Sequence, residues 1–403
     1  MKKFYFTLGM LFCGTFILSA QTNTSVLTQN GDANSAYSIQ SGSQNILDVR
    51  QDGATNFTDS RQTGRANDAD IDQVGSNQDS YIKQIGRSNE YRTSQVENGN
   101  DNLSMVRQEG VENYGGRGND WGTYQAGSRN FSETYSIGDA NGAATIQRGT
   151  DNKASILQRG DRNISTYLTS WNWGIQQIGN RNAADIDQID DDNTASIEQW
   201  GDDNAFRITQ EGFVNTASSY QYGNRNMAGG SALNWGILQV GNNNRATSSS
   251  VGDDNNSGTY QGGDDNTSTI VQTGDGNIAN GLSRGGFGTD QRGYYNNSDL
   301  VQIGNSNSAS TDQQGNRNQA DAYQQGAGNR SSVIQERLTN DSDVDQLGNL
   351  NGSAVYQFGT SNRSIVFQNG TENTSDVAQT GLTHLSTVTQ MGSLNASVVS
   401  QQN

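Results

Sequence analysis

Proline does not occur anywhere in the 403 residues. No backbone N–H is therefore lost to a ring, which suits a chain whose amides are wanted for sheet ladders. Cysteine is nearly absent. Cys13 is the single copy and lies within the first twenty residues, so the rest of the chain has no disulfide and no thiolate metal site. Positive charge is scarce: 25 Lys and Arg face 42 Asp and Glu, a net charge of −17. A chain this acidic repels nucleic acid and disfavours an anionic membrane surface. Hydrophobic residues make up only 31%, against about 45–50% in an ordinary globular domain. With 49 glycines, composition alone would suggest disorder, but the order of the residues says otherwise.

The one long apolar run is Phe4 to Leu18, preceded by Lys2 and Lys3 and followed by Ser19 and Ala20. This pattern predicts a secretory signal peptide over residues 1–20, cleaved between Ala20 and Gln21, and too short to be a convincing transmembrane helix. Bulky Phe12 before Cys13 argues against a lipid-anchored form. Cleavage removes two lysines and no acid, leaving 23 cations against 42 acids, or −19. No other segment is long and apolar enough to span a membrane. Residues 21–403 read as a single solenoid, regular over 29–95, interrupted over 96–290 and regular again over 291–403.

Periodicity carries that reading. Glutamine recurs every 11 residues at Gln29, Gln40, Gln51, Gln62, Gln73, Gln84 and Gln95. It does so again at Gln291, Gln302, Gln313, Gln324, Gln335, Gln346, Gln357, Gln368, Gln379, Gln390 and Gln401. Between these blocks the step is mostly kept, with Ser136 and Ser250 standing in for glutamine, giving 32 rungs of which 30 are Gln. Glycine usually follows two residues later, and asparagine five later, as at Asn34, Asn67, Asn307, Asn318, Asn351, Asn362 and Asn395. Ala or Ser comes at seven, and usually Val or Ile at nine. The unit is Gln-x-Gly-x-x-Asn-x-(Ala/Ser)-x-(Val/Ile)-x-Gln.

Asn, Ala/Ser, Val/Ile and Gln are spaced by two, so in an extended strand they share one face. The residues between them are often charged, as where Asp68, Asp70 and Asp72 alternate with Asn67, Ala69, Ile71 and Gln73. A helix would scatter the same residues around its axis. The four residues after Gln have turn chemistry. Two units make a 22-residue coil with two facing sheets, and about 16 such coils at ~4.8 Å give a β-solenoid roughly 75 Å long. Stacked amides can donate to the rung above and accept from the rung below, which makes the Gln and Asn columns the expected self-assembly ladder.

Four steps lengthen to 17–19 residues and end at Gln125, Gln177, Gln239 and Gln291. Each contains an aromatic–glycine pair: Trp121-Gly122, Trp173-Gly174, Trp235-Gly236 and Phe287-Gly288. These read as loops whose aromatic covers the solenoid edge, with a carbohydrate- or partner-binding stripe as the alternative. His384, the only histidine, stands in the Asn column and reads as a ladder substitute rather than a catalytic base. The acidic runs Asp190-Asp191-Asp192, Asp202-Asp203, Asp253-Asp254 and Asp264-Asp265 read as solvated turns that keep rods apart. Calcium ligation is a weaker reading, because the nonapeptide of calcium-binding β-rolls is missing. No catalytic, cofactor or metal site is expected.

The unit resembles the curlin repeat of bacterial curli subunits. It is written in full at Gln29, Gly31, Asn34, Ala36 and Gln40, and again from Gln62 to Gln73. The resemblance implies a functional amyloid: a subunit exported through a dedicated outer-membrane pore, met by a nucleator, and built into biofilm-matrix fibres on a Gram-negative-type bacterium. This chain departs in its aromatic insertions, and Gln21 to Thr28 leads straight into the first unit without a Gly-rich targeting stretch. The last residues, Val399 to Asn403, fall on a ladder position, so an uncapped edge is expected to add further copies head to tail. A monomeric solenoid adhesin is the alternative function.

Overall fold

A computed structural model of the chain describes residues 22–115, 122–165, 174–228, 236–279 and 288–403. The predicted signal segment, with Ala20 and Gln21, and the aromatics Trp121, Trp173, Trp235 and Phe287 lie outside the described residues. The described residues form an all-β, two-sheet parallel solenoid of about 16 turns with repeats about 22 residues apart and no helix. One sheet begins with Thr24–Asn30, Ile46–Ala54 and Asp68–Ser76 and ends with Leu385–Ser393. The other begins with Ser35–Ser43, Phe57–Arg65 and Asp79–Arg87 and ends with Ala396–Gln402. Successive 11-residue units thus go to opposite sheets.

The ladder glutamines stay paired along the rod, and the register shifts at one bulge, where Gln73 pairs with Gln95 but Gly75 with Gly99. Gln29 pairs with Gln51 at the start and Gln379 with Gln401 at the end. The longer steps change nothing: Gln95 pairs with Gln125, Gln147 with Gln177 and Gln272 with Gln302. A slip of one residue would turn every inward column out to solvent, and the strands on either side of each long step keep their inward columns. At these steps the rung is described in two pieces, as with Ile164–Ser165 and Ile175–Ile178, or Met227–Ala228 and Ile237–Val240. A rung split in this way pairs with its neighbours through both halves. The pairings therefore branch and rejoin along the second sheet, which does not close into a barrel.

The core between the sheets is a column of mostly branched side chains that forms four buried hydrophobic clusters, with Ser60, Ser219, Ser248 and Ala322 standing in the same column. Ile71, Ile82, Ile156, Ile186, Ile208, Ile270, Leu300, Val333, Val344 and Val366 are all buried. Each rung supplies at most one such residue, so hydrophobic burial alone cannot offset an ordering cost of ~1–2 kcal/mol per residue. Leu47, Tyr91 and Phe206 are large residues buried in the small-residue column, and Tyr91 is the one with a polar handle. It is fully buried, its hydroxyl is 3.0 Å from both Thr123 Oγ1 and Thr134 Oγ1, and its ring fills space left by Gly115 and Gly122.

The same column turns to serine in the C-terminal third. Ser331, Ser342, Ser353, Ser364, Ser375 and Ser386 point inward with no hydrogen-bond partner for the hydroxyl. Rungs ~4.8 Å apart are too far for one hydroxyl to reach the next, which needs about 2.8 Å. Alanine fills the equivalent place at Ala69, Ala154, Ala195, Ala217 and Ala320. Ser342→Ala and Ser364→Ala are therefore expected to be neutral, or to stabilise by up to ~1 kcal/mol each. Denaturant titration checks this, and a loss of more than about 1 kcal/mol would contradict it.

Candidate self-assembly ladder

Each ladder glutamine is the last inward residue of its strand, and its side chain does two jobs. The Nε2 of Gln346 donates to Oε1 of Gln368 in the next coil at 2.8 Å and to the carbonyl of Arg330, where the facing strand begins, at 2.9 Å. The glutamine therefore ties coil to coil and sheet to sheet. The same Nε2-to-Oε1 step joins Gln29 to Gln51 and Gln51 to Gln73, and Gln40 to Gln62 and Gln62 to Gln84, at 2.7–2.9 Å. It joins Gln302, Gln324, Gln346, Gln368 and Gln390 in one sheet. Gln313, Gln335, Gln357, Gln379 and Gln401 continue it in the other. The interior members are fully buried.

Ser136 and Ser250 keep half of the connection. Their hydroxyls donate to Gln158 and Gln272 at 2.9 and 3.1 Å. They offer no carbonyl for the preceding glutamine, and Gln108 donates only to the Glu90 carbonyl.

The asparagines run the opposite way. Asn67 donates from its backbone N and from Nδ2 to Oδ1 of Asn45 in the preceding coil, at 3.2 and 3.1 Å. Its Nδ2 also caps the Gly86 carbonyl at 3.2 Å. Asn307, Asn351 and Asn395 donate in the same way to Asn277, Asn329 and Asn373. Asn34 supplies Oδ1 to the backbone N of Asn56. Asn318 and Asn362 reach Arg337 and Gly381 carbonyls at 3.1 and 3.2 Å. Between like side chains, glutamine donates toward the C-terminal coil and asparagine toward the N-terminal coil, while asparagine Nδ2 also reaches forward to a backbone carbonyl of the next coil. Coils that keep both residues present complementary faces, and their two side-chain amide columns oppose each other.

Two positions interrupt the asparagine column. Gln78 was not singled out by the repeat pattern; its backbone N donates to Asn56 Oδ1 at 3.1 Å. His384 takes the expected substitute place, its N donating to Asn362 Oδ1 and its Nε2 lying 3.0 Å from the Thr380 carbonyl.

The turns hold what the sequence pattern did not reveal. The residue four after Gln adopts positive φ whatever its type, as at Ala33, Thr55, Arg129 and Leu350, with φ between 55° and 57°. The acidic runs are not simply solvated, which corrects the expectation above. Asp192, Asp203 and Asp254 form two-pronged ion pairs with Arg162, Arg181 and Arg225 of the preceding coil, all at 2.7 Å. Asp191, Asp202, Asp253 and Asp264 accept backbone N–H bonds from Asp161, Asn180, Asn224 and Asn242 at 2.8 Å. Asp190 occupies the glycine place at φ 70°. These partners are 22–30 residues away, so no local window contains them. The arginines hold the Asp192, Asp203 and Asp254 carboxyls below the usual carboxylate range. Among the described residues no group of His, Cys, Asp and Glu could hold a metal ion.

Carboxylates on the flat outer faces behave oppositely. Burial, then neighbouring acids such as Glu90 and Asp48, push Asp68 and Asp70 above the ordinary value. Burial also raises Asp321, Asp343 and Asp345. A carboxyl with a raised folded pKa favours the protonated fold, so its stabilising contribution is present at low pH and lost as pH rises through that pKa. The depressed turn acids contribute above about pH 4 and lose that contribution on further acidification. Stability is expected to rise from pH 7 to about pH 4 and to fall below it. Thermal melts across this range check the sign, with Asp70→Asn expected to raise the pH 7 value and flatten the rise.

The family model of the curlin associated repeat matches residues 23–53, 62–96, 201–229 and 304–336. A comparison with curated proteins finds no match.

Proposed function

This chain is a curlin-repeat protein, and from that premise we propose that it is a secreted structural subunit of extracellular curli-type amyloid fibres, without enzymatic activity. One observation carries the reading: a coil that keeps both residues presents Gln donors and Asn acceptors on one side and their complements on the other. A free rung of one copy can therefore receive a rung of another through the same bonds that join coils within the chain. The ladder from Gln29 to Gln401 and from Asn34 to Asn395 is the assembling element. Export begins with removal of residues 1–20 between Ala20 and Gln21. An outer-membrane pore and a nucleator are the partners that the family reading implies, and adhesion and biofilm structure are the roles it serves.

The test is incubation of residues 21–403 followed by fibre diffraction and electron microscopy. The expected result is fibres with reflections near 4.7 and 10 Å. A chain that stays a single rod for days would overturn the fibre reading in favour of a monomeric adhesin.

A further inference from the structure

Three aromatic side chains stand together on the outer face of the first sheet, near the middle of the rod. Trp200 and Tyr222 lie side by side on neighbouring strands, their ring centroids 6.3 Å apart and tilted by 34°. Tyr220 is two residues before Tyr222 and so shares its face. All three are 37–50% exposed. The indole is held in place, because Trp200 Nε1 donates to Glu198 Oε1 at 2.6 Å. Gln176 lies beside Glu198 on the preceding strand, and Tyr220 beside it on the following one. Two planar hydrogen-bonding groups therefore flank the rings.

Charge is nearly absent here. The strands Thr194–Trp200, Thr216–Tyr222, Arg245–Val251 and Thr267–Thr273 contain only two charged residues, Glu198 and Arg245. Arg245 is six residues from Val251, the neighbour of Tyr222, which puts it about 20 Å from the rings. The acids of this sheet cluster elsewhere, as at Asp68, Asp70 and Asp72 or at Asp341, Asp343 and Asp345. The outward positions around the rings are mostly hydroxyls, among them Thr216, Ser218, Thr247 and Ser249.

We propose that this platform binds a neutral, β-linked polysaccharide lying along the rod axis, with successive sugar rings on Trp200 and Tyr222. A β-linked hexopyranose carries its hydroxyls at the rim and C–H groups on its faces. The negative faces of aromatic rings attract such C–H groups. The rim hydroxyls meet the Glu198 carboxylate, the Gln176 amide and the Tyr220 hydroxyl. An anionic polymer is disfavoured twice, by Glu198 beside the rings and by the net charge of −17. The rings sit on a rigid sheet and the indole is already tied to Glu198, so little freedom is lost on binding. One site of three rings holds a short chain weakly. Stacked copies repeat the site roughly every 75 Å and hold a long chain by avidity. The site goes beyond fibre formation and is complete in a single rod.

Calorimetric titration of residues 21–403 with cellohexaose and laminarihexaose, two neutral β-glucan oligosaccharides, tests the site. Heat is read per chain, so single rods and fibres serve equally. Saturable binding of at least one of them is expected, unchanged between about 0.05 and 0.5 M salt because no ion pair is involved. Trp200→Ala and Tyr222→Ala are each expected to weaken it about tenfold, and the two together to abolish it. Trp200→Phe is expected to keep most of the binding. Tyr81→Ala, in the other exposed aromatic cluster with Phe57, is expected to change nothing. Unchanged circular dichroism shows that the variants still fold. Binding of neither β-glucan, or binding that survives the double change, overturns the proposal. Binding of the polyanion alginate alone, lost at high salt, overturns it as well. A chain that binds a β-glucan but never forms fibres counts against the fibre reading alone.

Discussion

Replacing Gln346 with Leu is expected to lower the local stability of the coils around it by about 2–5 kcal/mol. The side chain is fully buried, and its loss strands three groups at once. Gln324 loses the acceptor for one Nε2 proton, Gln368 loses the donor to its Oε1, and the Arg330 carbonyl loses its cap. Each buried polar group left without a partner costs ~1–3 kcal/mol, and the apolar gain from Leu offsets only part of this. A solenoid is held by nearest-neighbour contacts, so the effect stays local and the chain does not unfold as one unit. Hydrogen exchange reads it directly. Amides of the rungs at Gln324, Gln346 and Gln368 are expected to lose protection, while those near Gln51 do not. A change below about 0.5 kcal/mol would mean that the amide column follows from the stack and does not hold it.

Gly348→Val is expected to disrupt the arc by about 2–4 kcal/mol. Gly348 sits at φ 106°, outside the range of a β-branched residue. A Cβ there would overlap the Gly370 carbonyl oxygen, which itself accepts Nδ2 of Asn351 at 3.1 Å. The strain therefore reaches the asparagine ladder. Two natural exceptions set the scale. Asp190 and Arg337 stand in the glycine column by moving to φ 70° and 82°, closer to the left-handed helical region. Gly348→Asn can take the same route and is expected to cost about 1 kcal/mol. Denaturation midpoints in the order wild type, Asn, Val check this; equal midpoints for Asn and Val would remove the steric explanation.

Much of the fold was legible because its two spacings are exact integers of structure. A step of two puts Asn67, Ala69, Ile71 and Gln73 on one face, and a step of 11 returns each to its column after a turn. Those facts are local, and they gave strand, turn, coil length and the identity of the ladder. The turn acids were misread because the arginines that bind them lie a full coil away. Asp192 looks solvated until Arg162, 30 residues earlier, is brought to it by the stack. Tyr91 in a small-residue column made sense only once Gly115 and Gly122 were placed beside it.

The sequence by itself determined which side chains point inward and which residues stack, since periodicity leaves no other strand arrangement. The tertiary structure decided the direction in which each amide donates, since that depends on carbonyls of the facing sheet such as Arg330 for Gln346. It also decided which charges become neighbours. Along the chain Asp70 and Lys83 are separated by 13 residues and their signs look mixed. Alternate units go to opposite sheets, so coiling sorts Asp48 and Asp70 onto one face and Arg61, Lys83 and Arg107 onto the other.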